Sequence, residues 1–206
     1  MDFNAIYRRT VFWCKDFFNG SPIRKQYIDV KYFAEHSALE SASRKLDKLH
    51  KLLRYVQSNS VFYSNFNSLD LADYPVMNKM SLIENMDKIR VPDDKIPGQV
   101  GPVHIQRTSG STGVPLAVAL DTVKRHRRIA ELKYYGKIVG FTTHEKLIHL
   151  RTWNRWQSKT SKQIKTENII PFDISKFDKS DMEELCNLLI SEKVVCLRGY
   201  ATTIAN

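Results

Sequence analysis

From residue 102 onward, stretches with the two-residue alternation of a strand take turns with stretches carrying the three- and four-residue apolar spacing of a helix. Residues 102–107, 115–120, 147–150, 169–172 and 194–198 have the strand character. Asp121 is placed to cap a helix running to about Val139, and Gly140 to end it. A second helix is expected over 181–191, with Ser180 and Glu183 as a capping box and Met182, Leu185, Leu188 and Leu189 on one face. Strands alternating with helices demand a layered α/β arrangement. Before residue 100 the pattern is helical. A short helix near 3–18 breaks at Asn19-Gly20-Ser21-Pro22, and a long one over 38–57 starts at a Ser37/Glu40 capping box. Its apolar stripe is Leu39, Ala42, Leu46, Leu49, Leu53 and Val56. A third helix, 81–88, follows an extended 75–79, and 91–101 is a loop with two prolines and two glycines.

The expected fold class is therefore α/β: a helical N-terminal region, 1–100, followed over 101–206 by the start of a layered mixed β-sheet domain with flanking helices. A helix starts after Gly199 and the chain stops before any cap or closing strand, so a truncated chain is expected.

A composition of 42% hydrophobic and 26% charged residues is that of an ordinary globular chain and argues against disorder. No apolar run approaches the roughly 18 residues of a membrane span. The opening Met1-Asp2-Phe3-Asn4 lacks the basic start and apolar stretch of a secretory signal, which makes the cytoplasm the expected compartment. Three widely spaced cysteines form neither a disulfide framework nor a zinc knuckle; Cys186 and Cys196 are expected as buried thiols. The six histidines show no metal-ligand spacing beyond the pair His144/His149, which a strand would turn to opposite faces. The aromatic residues of 1–35 would touch a membrane or a partner if exposed. The core is the expected place for them, because Asp2 and Asp16 interrupt any basic face.

The segment that carries chemistry is Arg107-Thr108-Ser109-Gly110-Ser111-Thr112-Gly113-Val114-Pro115, between two strand patterns. Glycines let backbone N–H groups converge on an anion without side-chain clash, and hydroxyls add donors that need no permanent charge. Such a loop can wrap phosphate oxygens; loops of this composition also serve as plain flexible hairpin connectors. Neither GxxxxGK[ST] nor GxGxxG occurs in the chain, so neither a Walker loop nor a dinucleotide fold is supported.

The string Thr108-Ser109-Gly110-Ser111-Thr112-Gly113-Val114-Pro115 resembles the phosphate loop of adenylate-forming enzymes, the acyl-CoA synthetase superfamily. It is most similar to the phenylacetate–CoA ligase branch with its CapK-type proteins of capsular polysaccharide clusters. Three further segments look like that branch in the same order: Leu53 through Tyr63, Tyr74-Pro75-Val76-Met77-Asn78-Lys79, and Leu197-Arg198-Gly199-Tyr200-Ala201. The resemblance implies ATP, Mg2+ and a carboxylic acid as ligands, an acyl-adenylate intermediate, and coenzyme A or another nucleophile as acceptor. It implies that Thr108, Ser109, Gly110, Ser111, Thr112 and Gly113 hold the β- and γ-phosphates. Val114 stands where many superfamily loops carry lysine, which removes one positive charge. Family members are about twice this length; their adenine, ribose and Mg2+ motifs and the C-terminal lid domain with its catalytic lysine would lie beyond Asn206. The resemblance thus implies no catalytic residue and no metal ligand in these 206 residues, and an incomplete cycle for this segment alone.

The formal net charge of +10 is local: residues 121–165 hold 12 Lys/Arg against 3 Asp/Glu. Its densest run, Lys124-Arg125-His126-Arg127-Arg128, is either a solvated helix face or an anion site. The second option supports an alternative reading, a basic module for an anionic polymer, nucleic acid or membrane surface. Nucleic acid is disfavoured, since no aromatics interleave with these charges and no recognition motif is present. Trp153 and Trp156 could line an acyl pocket or anchor a loop.

Overall fold

The computed structural model describes residues 2–107, 115–153 and 159–205. It is a mixed α/β protein with eight helices and five strands among the described residues. These fall into two compact units, Met1–Tyr27 with Ala130–Asn206, and Ile28–Ile129.

In the first unit, helix α1 (Phe3–Phe18) starts at Asp2, whose carboxylate accepts the Asn4 and Ala5 N–H groups. Helix α2 (Pro22–Glu35) begins in this unit and is capped by a residue of its neighbour. The Asp16 carboxylate accepts Ile23 N–H at 2.9 Å and Arg24 N–H at 3.0 Å, with Pro22 at the first helical position. The unit's sheet is β3 (Leu147–Arg151), β4 (Ile169–Asp173) and β5 (Cys196–Arg198), all parallel, in the order β4-β3-β5. Parallel neighbours need crossover connections, and α6 (Ser161–Glu167) and α7 (Lys179–Ser191) lie in them. The central strand is the most buried. Ile148 stands in register with Ile170 and Leu197, and Ile148, Leu150, Phe172 and Leu185 make the core. Helix α8 (Ala201–Ala205) follows β5.

Gly199, between β5 and α8, is fixed by close packing. A Cβ there would lie 2.9 Å from Leu150 Cβ and 3.3 Å from its carbonyl oxygen, and neither is the free end of a side chain. Gly199→Ala is expected to destabilise the protein by about 1–2 kcal/mol through overpacking against a core strand. A urea midpoint equal to that of the unmodified protein would refute this.

In the second unit, α3 (Ala42–Asn59) and α4 (Lys79–Ile89, capped by Asn78) accompany an antiparallel hairpin, β1 (His104–Arg107) and β2 (Ala117–Leu120). Helix α5 (Thr122–Ile138) begins here, with Asp121 Oδ1 accepting Lys124 N–H at 2.6 Å. It ends at Gly140, whose φ of +83° lets Phe141 N–H turn back to the Gly136 carbonyl.

Several expectations need correcting. The Ser37/Glu40 box is present, but it closes the turn 38–41, and the helix starts only at Ala42. Leu39 therefore sits off the helix and exposed, and the stripe is buried only toward Leu53. The box on α7 is Asp178 with Asp181, two residues before the expected pair. Cys186 is exposed and Cys196 half-buried: Cys186 follows the buried Leu185 by one residue, about 100° around the helix. The aromatic residues of α1 divide between its two sides. Phe12 and Trp13 pack at 5.5 Å on His144 and 6.1 Å on Tyr27 respectively, whereas Phe3, Tyr7, Phe17 and Phe18 are exposed.

Candidate functional site

The residues expected to hold phosphate, Thr108, Ser109, Gly110, Ser111, Thr112 and Gly113, lie outside the described residues, as does Trp156. The structure describes the frame on either side of them. Arg107 pairs with Ala117 at the end of the β1–β2 ladder, so the connection between the strands is the nine residues 108–116. That is far longer than a two-residue hairpin turn. The hairpin brings both ends of the segment to one place and leads through Asp121 directly into α5.

Around this frame the loop 91–101 is tied to the start of α5. Gln99 Oε1 accepts Thr122 N–H at 2.9 Å, and Thr122 Oγ1 accepts Val100 N–H at 3.1 Å. Arg128 reaches back to β1, its Nη1 at 3.5 Å from Gln106 Oε1. One face of the hairpin, with Ile105 and Ala119, borders a groove of about 760 Å3 shared with Leu52, Tyr55, Ile89 and Val91. Its volume is in the range of small-molecule sites and its walls are mainly apolar, a bed for the carbon skeleton of an organic ligand. The Tyr55 hydroxyl donates to the Lys95 carbonyl at 3.2 Å; burial and the nearby Asp121 carboxylate push its pKa up.

The basic run is not one uniform solvated face. Lys124, Arg125 and Arg128 are exposed, but Arg127 is tied down. Its Nη1 lies 2.6 Å from Asp29 Oδ2, and the same carboxylate takes Arg44 at 2.7 Å and Lys48 at 2.7 Å. Burial of Asp29 alone would raise its pKa; the hydrogen bonds from Lys48 and Arg127 outweigh burial and hold it below the ordinary 3.8. Nothing in the sequence pairs Asp29 with a residue 98 positions away.

The other segments of interest are built as follows. Gln57 Nε2 donates to the Ser68 carbonyl and the Tyr74 hydroxyl, and Tyr74 stacks on Phe66 at 4.9 Å; this ties the segment 53–63 to the segment 74–79. Trp153 Nε1 donates to the carbonyls of His149 and Phe172, at 3.3 and 3.2 Å, which makes this tryptophan an anchor at the end of the parallel sheet. His149 lies on β3 with Nδ1 at 3.1 Å from Arg198 Nη2. Its pKa is lowered to about 4 by burial and by Arg198. His144, in the turn before β3, is lowered to about 4 by burial and by Lys133. Among the described residues no three His, Cys, Asp or Glu side chains are grouped to hold a metal ion. Also among them, no helix is long and apolar enough to cross a membrane.

The sequence reading missed Lys133. It is buried on α5 beside Ala130 and Tyr134, with Nζ 3.1 Å from Thr143 Oγ1 and 3.8 Å from the centre of the Phe12 ring. Its pKa is lowered to about 8, by burial first and with help from Arg9. A lysine in a strongly charged helix gives no pattern-level sign that it faces inward. No protein-family model, no curated protein and no solved structure matches the chain.

Proposed function

We propose that this chain carries the triphosphate-gripping portion of an ATP-dependent adenylate-forming ligase of the phenylacetate–CoA ligase and CapK kind, serving capsular or surface polysaccharide synthesis in the cytoplasm. The observation that carries the reading is the β1–β2 hairpin. It holds Arg107 and Ala117 opposite one another, with the string of hydroxyls and glycines as its connection and a capped helix directly after it.

In this reading the backbone N–H groups of 108–113 and the hydroxyls of Ser109, Ser111 and Thr112 donate to the β- and γ-phosphate oxygens of ATP. A carboxylate oxygen of the acid attacks the α-phosphorus, the bond from that phosphorus to the oxygen bridging to the β-phosphate breaks, and pyrophosphate leaves. Donors placed where that charge develops lower the barrier. The acyl group then passes from AMP to coenzyme A or another nucleophile. Among the described residues no three His, Cys, Asp or Glu side chains group to hold Mg2+.

The test is a calorimetric titration of the chain with MgATP and with tripolyphosphate. Ser109→Ala combined with Thr112→Ala is expected to weaken binding by about tenfold or more, from two lost hydrogen bonds to a charged acceptor. Reversing the exposed Lys124 and Arg125 to glutamate is expected to change it less than about threefold at physiological salt. The opposite pattern would replace this reading with the basic-module alternative.

A further inference from the structure

The strongest unexplained surface is on α1. A helix of 16 residues is about 24 Å long. Phe3, Tyr7, Thr10, Cys14 and Phe17 follow one another at steps of four and three, so they form a single stripe, with Phe18 beside its end. The stripe is open to solvent: Phe3 is 80%, Tyr7 70%, Phe17 69% and Phe18 84% exposed. Two pairs of exposed aromatic rings on one helix face, Phe3 with Tyr7 near its start and Phe17 with Phe18 at its end, have a cost that one scattered surface residue does not.

The charges carried by the same two helices point to what the stripe fits. Arg8, Arg9, Lys15, Arg24 and Lys25 lie in α1 and the first turns of α2, and among the described residues none of them forms an ion pair. The two acidic residues of α1 and its cap are both engaged by backbone N–H groups. Asp2 is used on the first N–H groups of α1, and Asp16 is buried, its carboxylate used on Ile23 and Arg24 N–H. Of the two, only Asp2 stays at the surface, at the start of the stripe, and the acidic interruption at Asp16 is absent from the exposed face. A shallow hollow of about 500 Å3 beside Phe17 and Phe18 has Arg9 in its wall, together with Thr10, Trp13 and Cys14. Aromatic rings suit the headgroup level of a bilayer, and cations beside them suit anionic headgroups.

We propose that the exposed face of α1 is a membrane-surface seat, lying in the plane of an anionic lipid bilayer with Phe3, Tyr7, Phe17 and Phe18 inserted and Lys15, Arg24 and Lys25 against the headgroups. The helix is a surface seat and not a span. This inference is independent of the ligase reading.

The test is co-sedimentation of the full 206-residue chain with vesicles of phosphatidylcholine containing about 30 mol% phosphatidylglycerol, and with phosphatidylcholine alone. Binding is expected to the anionic vesicles and to fall as salt rises. Phe17→Ser with Phe18→Ser is expected to lower the partition coefficient by about tenfold or more without moving the thermal midpoint, since both rings are exposed. Lys15→Glu with Lys25→Glu is expected to do the same on anionic vesicles. Failure of the unmodified chain to bind either vesicle overturns the proposal. So does binding that survives the double serine variant, which would place the contact on the basic 121–165 stretch. A dimer in sedimentation velocity that the serine variant dissolves and vesicles do not compete with would give the stripe to a second copy, and overturns it too.

Discussion

Between pH 7 and pH 10.5 the protein is expected to gain about 2–3 kcal/mol of stability that a Lys133→Met variant does not gain. Lys133 is buried with a folded pKa of about 8 against an ordinary 10.5. A depressed pKa means that the unfolded chain holds the proton more tightly than the folded one. The associated stability is complete above 10.5 and is lost as pH falls toward 8. At 1.36 kcal/mol per pH unit the gap is worth about 3 kcal/mol, and attraction of the ammonium to the Phe12 face removes part of that. The groups facing Lys133 are Arg9 and Asp16 on α1, Glu167 on α6, and Thr143 and His144 in the turn before β3. Urea denaturation at several pH values, on both proteins, reads the difference directly, and parallel curves would refute it.

Removing the Asp29 carboxylate is expected to cost about 2–4 kcal/mol. Asp29 is buried and accepts from Arg44, Lys48 and Arg127, so Asp29→Ala leaves three cations facing each other around an apolar gap. The cations keep partial access to water, which holds the effect below that of a wholly buried triad. Because the Asp29 pKa lies below 3.8, its contribution is full at neutral pH and is lost as pH falls below that value. Adding Arg127→Met to Asp29→Ala is expected to restore part of the loss, since it removes one of the three like charges brought together there. A double-mutant cycle on urea midpoints checks this, and strict additivity would show that the two are not coupled. Arg127 therefore belongs to the architecture of its unit, which is why Lys124 and Arg125 are the better probes of anion binding.

Local signals in the chain were legible where the partner is close in sequence. Asp121 and Gly140 bracket α5, and the alternation at 102–107 and 115–120 forms a hairpin because the strands are neighbours. The cap of α7 could not be placed to the residue, because Asp178/Asp181 and Ser180/Glu183 both put hydrogen-bonding side chains three positions apart at the helix start. Helix α6 is a seven-residue polar segment with no apolar stripe, and the sequence pattern gave no helix there. The outward turn of Phe17 and Phe18 was hidden, because a list of aromatic residues has no inside until the helix they share is packed. The frame of the candidate phosphate site was legible for the same reason as the hairpin. Asp29 with Arg127 and Lys133 with Phe12 were not, being long-range pairs that share no period.

The unit formed by Met1–Tyr27 with Ala130–Asn206 is made from two separate stretches, with about a hundred residues between them. During synthesis the first part leaves the ribosome and waits for that interval, roughly 5–20 s at 5–20 residues per second, before β3 exists to complete its core. The second unit has all its parts in hand during the same interval. Order of emergence therefore favours assembly from the middle outward, with the leading helix docking last.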